Sequence, residues 1–278
     1  MRPAAPFTLF LASFSAACAL GCQDSDSRPP PSGSCSVPDA GCGPYPPGGG
    51  GGTRDGGADA RADSGANVLA ELVGTVVALG DDFSTQLPFP GTATIHAEAR
   101  RGGYVSTGFD GDNSFRLGGI RVAERTWVGV KPAAANGPVL PTLQALDTRS
   151  NASVELAAIQ AEALDFIYQL ITLPTQRQPG SGQVVVFFVD NAAPDTPVEG
   201  LTVHIDGAET VIYDADGSYT DVTTGTGSAG TALVVNIPAE TFPGSVHNLA
   251  WSGAAAGFQE IQIAADSVTF LGFRVELP

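Results

Sequence analysis

The chain has 278 residues, with 29 acidic side chains against 13 Lys and Arg, a formal net charge of −16 and a pI near 4.3. That balance argues against nucleic acid or an anionic bilayer surface as an electrostatic partner. The length accommodates an export signal, a linker and two domains of roughly 100 residues each.

Pro6 to Gly21 is apolar and follows a single charged residue, Arg2. The run is too short for a transmembrane helix, which needs roughly 20 apolar residues, and has the form of a secretory signal over residues 1–21. Its end, Ala19-Leu20-Gly21-Cys22, resembles the lipobox of bacterial lipoproteins. In that family the cysteine receives a diacylglycerol and becomes the mature N-terminus, so the resemblance implies lipidation of Cys22 and a membrane partner reached through lipid. Leu20 stands two residues before the cysteine, where the family has its leucine three before, and Ser15-Ala16-Ala17-Cys18 matches less well. Cysteine arithmetic favours the same cut. Cleavage before Cys22 removes Cys18 and leaves Cys35 and Cys42 as an even pair, whereas cleavage before Cys18 or after Ala19 leaves an odd thiol in an oxidising compartment. Gln23 after the cysteine resembles the outer-membrane sorting pattern, from which Asp24 departs.

Residues 22–67 read as a disordered tether. They contain Pro29-Pro30-Pro31, Pro46-Pro47 and five consecutive glycines, Gly48 to Gly52, with no hydrophobic period. Such a segment cannot bury enough apolar surface to offset chain entropy. Its flexible reach is roughly 35–40 Å. Cys35 and Cys42 are expected to close a local disulfide, since two thiols without a nearby histidine are a weak metal ligand set.

From Val68 the pattern changes to alternation. Thr92 to Ala99, Leu201 to Asp206 and Leu271 to Leu277 each place an apolar residue at every second position, the mark of a half-buried strand. Val184 to Val189, "VVVFFV", is apolar throughout and suits a strand covered on both faces. Gly, Pro, Asn and Asp clusters separate these runs at the short intervals of an all-β sandwich. The expected architecture is mainly β: two tandem β-sandwich modules, residues 68–152 and 179–278, with a connecting helix region at 153–178.

The modules echo one another. Gly74-Thr75-Val76-Val77, then Phe89-Pro90-Gly91, an alternating strand and "DGDNSF" (Asp110 to Phe115) match Gly182-Gln183-Val184-Val185, then Val198-Glu199-Gly200, an alternating strand and "DADGSY" (Asp214 to Tyr219). This order resembles the carboxypeptidase regulatory-like domain, a transthyretin-like β-sandwich. Asn113 replaces the turn glycine in the first module and tolerates the left-handed conformation that position requires. "TGTGSAGTALVVNIPA" (Thr224 to Ala239) also resembles bacterial Ig-like sandwiches.

Between the modules, Ala163, Phe166, Ile167, Leu170 and Ile171 fall at helical spacing before Pro174. The start is open: Ser153 is placed to cap a helix, with Glu155 in its first turn, or Val154-Glu155-Leu156 ends the first sandwich as a strand.

Catalytic patterns are not evident. His96, His204 and His247 are the histidines; alternation puts His96 with Thr94 and Glu98, and His204 with Thr202 and Asp206, on solvent-facing sides. Ser228 has Thr226 where a strained Gly-x-Ser-x-Gly turn needs glycine, and no metalloprotease or phosphate-loop motif occurs. Asp214, Asp216 and Ser218 have the alternate spacing of calcium ligands, with Asp221 near. The closing glutamate of such a loop is missing, because Gly225 stands eleven residues after Asp214. Tight hairpins select the same residues, so the expectation is no cofactor, with calcium as the competing reading. Among aromatics able to stack on sugars, Trp127, beside strand valines, is expected in the core; Trp251 has a loop-facing position open to it, while the family resemblance implies packing; Tyr104, Tyr213 and Tyr219 are further candidates. Asn151-Ala152-Ser153 matches a glycosylation sequon that a bacterial lipoprotein does not routinely use. The functional expectation is a non-enzymatic, envelope-anchored lipoprotein that binds an unidentified protein or carbohydrate, or serves as a scaffold. The alternative is an accessory domain of a secreted hydrolase system, or a cryptic hydrolase.

Overall fold

The computed structural model describes residues 70–80, 85–109, 112–123, 125–134, 137–149, 153–173, 175–215 and 218–277. The expectations for Cys22, Cys35, Cys42, the tether, Asp110, Asn151 and Asp216 fall outside these residues. The first module contains β1 (Ala70–Leu79), β2 (Gln86–Pro88), β3 (Ala93–Glu98), β4 (Tyr104–Gly108), β5 (Ser114–Ile120), β6 (Thr126–Pro132), β7 (Val139–Leu140), β8 (Thr142–Leu146) and β9 (Ser153–Gln160). Helix α1 (Ala161–Leu170) follows directly. The second module contains β10 (Ser181–Asp190), β11 (Thr202–Ile205), β12 (Thr210–Ala215), β13 (Ser218–Thr220), β14 (Thr231–Pro238), β15 (Ser245–Ser252), β16 (Gly257–Ile263) and β17 (Val268–Val275).

The open question at Ser153 resolves as strand. β9 pairs in parallel with β1, from Val73↔Ser153 to Leu79↔Ile159, so the first sandwich extends to Gln160 and the helix starts after it. Val154, Leu156 and Ala158 point into one core while Ala157 and Ile159 point into another, which gives this strand two buried faces.

A nine-stranded sheet in the order β13-β12-β14-β10-β17-β8-β6-β3-β4 runs through both modules. The joint is β17, which lies parallel to β10 on one side and parallel to β8 on the other. Three apolar clusters flank this sheet. The first module's second sheet (β2, β5, β1, β9, β7) covers one cluster, built on Ile95, Ala97, Val128 and Val130 of the large sheet with Leu72, Val76, Phe115 and Leu156 opposite. The three-stranded sheet β11-β15-β16 covers another, where Val184, Val186 and Phe188 meet Val203, Ile205, Leu249 and Ile261. The third cluster joins Val185, Phe187, Leu233 and Phe270 to Ala163, Leu164, Ile167 and Tyr168 of α1 and to Leu79 and Ile159 of the first module. The unbroken apolar run of β10 is thereby explained: alternate residues enter two different cores.

The helix buries a different stripe from the one expected. Ala163 and Ile167 are buried, together with Leu164 and Tyr168, but Phe166 and Leu170 are exposed and Ile171 is only half-buried. Tyr168 takes the inward position because its hydroxyl donates to Gln183 Oε1 at 2.8 Å inside the core.

The internal echo is real at the level of topology. In each module the first strand pairs in parallel with the last (β1 with β9, β10 with β17) and antiparallel with a middle strand (β5, β14). Asn113 adopts φ 63° just before β5, as its turn position requires. Its positional counterpart before β14 is Gly230, with φ 62°. Asp214, Ser218 and Tyr219 are therefore not the structural equivalents of Asp112 to Phe115; they belong to an additional hairpin, β12–β13, on the outer side of β14.

Because β17 and the third cluster bind both modules, denaturant unfolding should show one transition rather than two. Ile167→Ala should lower the stability of the whole unit by about 2–4 kcal/mol, whereas Phe166→Ala should change it by less than about 0.5 kcal/mol. Urea titrations followed by tryptophan fluorescence and far-UV circular dichroism check both statements.

Candidate functional site

The acidic hairpin was the sequence's most specific candidate for ligand chemistry. Asp214, at the end of β12, is 4% exposed. Its Oδ1 accepts the backbone N–H groups of Gly227 (3.0 Å) and Thr231 (2.7 Å), and its Oδ2 accepts that of Ala229 (2.7 Å). The carboxylate thus supplies acceptors to the turn that leads into β14. A Cβ at Gly227 would sit 2.8 Å from Asp214 Oδ2, so the clamp requires glycine there. Asp221 faces elsewhere. Its carboxylate accepts from the N–H groups of Thr172 (3.0 Å) and Leu173 (2.9 Å) and from the Thr172 hydroxyl, fastening the segment after α1 to the end of the hairpin. Burial pushes this carboxyl up, but the Thr172 and Leu173 bonds outweigh that and hold it below the usual aspartate range. Ser218 lies exposed on β13. Among the described residues, no group of three or more His, Cys, Asp or Glu side chains is placed to hold a metal ion.

A polar knot centred on the buried Asn236 and Gln183, and open to solvent at Gln176, Gln178 and Glu209, joins the second module to α1 and the segment after it. Asn236, on β14 at φ 55°, donates from Nδ2 to the Gln176 carbonyl (2.8 Å) and to Glu209 (2.5 Å). Its Oδ1 accepts from Gln178 N–H (3.0 Å) and the Ser181 hydroxyl (3.1 Å), and its own N–H donates to Gln183 Oε1 (2.9 Å). Donation from the Thr175 hydroxyl and from Asn236 lowers the Glu209 carboxyl below its ordinary value. Burial, then the Glu209 charge, raises the Tyr168 phenol far above the ordinary tyrosine range. At its buried centre Asn236 and Gln183 are partnered across elements, the condition under which buried polar groups specify one packing.

The face between the modules carries the third feature. His96, expected to face solvent, is half-buried, and its ring lies 5.1 Å from that of Phe242 in the β14–β15 loop. Phe242 also packs 5.2 Å from Tyr104 and fills the space above Gly129, where an added Cβ would come within 2.9 Å of its ring. The Tyr104 hydroxyl accepts from Gln262 Nε2 (3.1 Å), and Arg125 donates to the Glu260 carbonyl (3.3 Å), so β16 is tied to the first module. Burial, then the Lys131 charge, depresses the His96 pKa, and its Nε2 has no hydrogen-bond partner among the described residues.

The remaining candidates fall into place. His204 is exposed beside Asp206 (3.0 Å), and His247 contacts the Ser245 hydroxyl (2.9 Å) with its pKa lowered by burial. Trp127 and Trp251 are partly buried against the second module's core, Trp251 lying 4.8 Å from Phe273 and flat against Gly257. Tyr213 and Tyr219 are buried. Phe242, Asn236 and Gln183 were missed by sequence reasoning. For Phe242 a signal existed, a lone aromatic in the turn "TFPG", where exposure would be wasteful.

Removing the Asp214 carboxylate would leave three N–H groups of the turn short of an acceptor. Asp214→Ala should therefore cost about 3 kcal/mol and lower the unfolding midpoint with or without added calcium, measured by thermal denaturation. For His96 the sign follows from its depressed folded pKa. The unfolded chain takes up the proton near 6.5 while the folded one resists it, so this contribution is present above pH 6.5 and is lost as pH falls below it. Stability should decline from pH 7 to pH 5, and His96→Gln should flatten that decline in denaturant titrations at each pH.

No protein-family profile and no curated protein matches this chain. Solved structures similar to this chain include the TIE protein of Bacillus anthracis, at 12% identity and TM-score 0.24 over 75% of this chain and 34% of that one. The shaft pilin SpaA of Lactobacillus rhamnosus GG matches at 7% identity and TM-score 0.22, over 76% of this chain and all of the pilin. The major pilin RrgB of Streptococcus pneumoniae matches at 9% identity and TM-score 0.22, over 76% of this chain and 49% of that one.

Proposed function

We propose that this chain is an exported, lipid-anchored protein of the cell envelope, of the outer membrane in a two-membrane cell, and that it works by binding or scaffolding rather than by catalysis. The observation that carries the reading is how its polar side chains are used. Asp214, Asp221, Glu209, Asn236 and Gln183 are spent on backbone turns and inter-element bonds that stiffen one β-rich unit. A rigid body with exposed loops and faces is what a displayed binding module needs, whereas catalysis needs polar groups converging on a substrate. The repeated pairing of first and last strands supports two copies of one sandwich plan, of the carboxypeptidase regulatory-like or Ig-like kind.

The anchor is tested by fractionation. Cys22→Ala should move the chain from the membrane to the soluble fraction, because each buried acyl methylene contributes about 0.8 kcal/mol to anchoring. Retention of Cys22→Ala on the membrane, with release of Cys18→Ala instead, would overturn the assignment.

A further inference from the structure

Helix α1 carries apolar side chains on two sides, and among the described residues one side is packed into the core. Ala163, Leu164, Ile167 and Tyr168 enter the shared core. Phe166 and Leu170, one turn apart on the other side, are 46% and 39% exposed, and Leu173 just beyond the helix is 50% exposed. The Asp221 bonds to Thr172 and Leu173 hold the end of this segment against the hairpin, where the next residue, Val222, is 70% exposed. These four side chains are therefore presented on a fixed support.

Charge selects what fits there. Glu162 is exposed one turn before Phe166 and supplies the open negative charge; Asp165 adjoins Phe166 and is paired with Arg177 at 3.5 Å, and Asp221 at the far end is engaged by Thr172 and Leu173. The surrounding module is strongly acidic, with twelve acidic residues against one basic residue, Arg274, from Gly180 to Pro278. A second copy of this face would bring like charges together, and an anionic bilayer would be repelled. We propose that the outer face of α1, with Val222, docks a basic amphipathic segment of another protein, whose apolar side chains cover Phe166, Leu170 and Leu173 while its lysines or arginines meet the acidic rim. An exposed apolar stripe at one-turn spacing is the helix form of groove-and-ridge recognition, and rim charges of opposite sign give it orientation and speed of encounter.

The inference rests on the binding role proposed above, but its test does not involve the anchor. Soluble full-length Cys22→Ala protein would be titrated against a fluorescent helical Lys/Leu peptide, with a Glu/Leu peptide of the same pattern as control, and binding followed by anisotropy. The Lys/Leu peptide should bind the otherwise unaltered chain at least about tenfold more tightly than it binds Phe166→Ser/Leu170→Ser, a loss of about 1.4 kcal/mol or more. Glu162→Lys, which leaves the apolar stripe intact, should also weaken binding, and the unfolding midpoint of every variant would be measured alongside. Equal binding by the variants, or equal binding of the Glu/Leu peptide, would overturn the proposal. So would self-association in sedimentation, or binding to phosphatidylglycerol vesicles, that Phe166→Ser/Leu170→Ser abolishes.

Discussion

The structure depends on one strand having two parallel neighbours. β17 closes the second sandwich by pairing with β10, and the same strand pairs with β8 of the first. Parallel pairs are slightly weaker per residue than antiparallel ones and survive where both faces of the sheet are covered. Here they are covered: Val268 and Phe270 enter the core that holds α1, and Leu271 and Val275 enter the core under β11-β15-β16. Sheet continuity and burial therefore support each other, and neither module has a free boundary at the joint.

The polar interactions follow from that joint. A sheet covered on both faces needs elements to cover it, and α1 supplies the cover over β10 and β14. The loop from α1 to β10 must then pass across the end of β14, and the Asn236 knot supplies partners there for Gln176, Gln178 and Gln183. On the opposite face, Phe242 over Gly129 and Gln262 to Tyr104 fasten the modules a second time. Thr142 and Gln144 of β8 both donate to the Ala157 carbonyl (2.8 and 2.7 Å), which bonds the two sheets of the first sandwich directly.

Strand positions were legible because burial imposes a period of two. Alternation located β3 and β11, and the unbroken apolar run of β10 announced two covered faces. Asn113 was readable as a left-handed turn residue. Partnership between distant segments was not readable. A parallel pairing such as β17 with β8 leaves no local trace, since its partners are more than a hundred residues apart. Asp214 shows why the candidate site was harder than the fold. A carboxylate spaced to hold a cation and one spaced to hold three backbone N–H groups have the same local sequence, and only the position of Gly227 to Thr231 separates them. The inward stripe of α1 was misjudged for a related reason: helical spacing gives the faces, but the hydroxyl of Tyr168 found its acceptor inside the core.

The placement of β17 also bears on how the chain is made. Among the described strands it is the last to leave the ribosome, and until it arrives β8 presents an open edge while β10 lacks its parallel neighbour. Domains assembled from their own contiguous strands can fold one after another during synthesis. Here the core of the first sandwich is contiguous in sequence, from Leu72 to Ala158, but the β8 edge and the closure of the second sandwich both wait for β17, pairings of long sequence separation that are slow in kinetic terms. Until β17 arrives, the β8 edge stays open to pairing with other strands, so the order of synthesis leaves a window for mispairing at the joint.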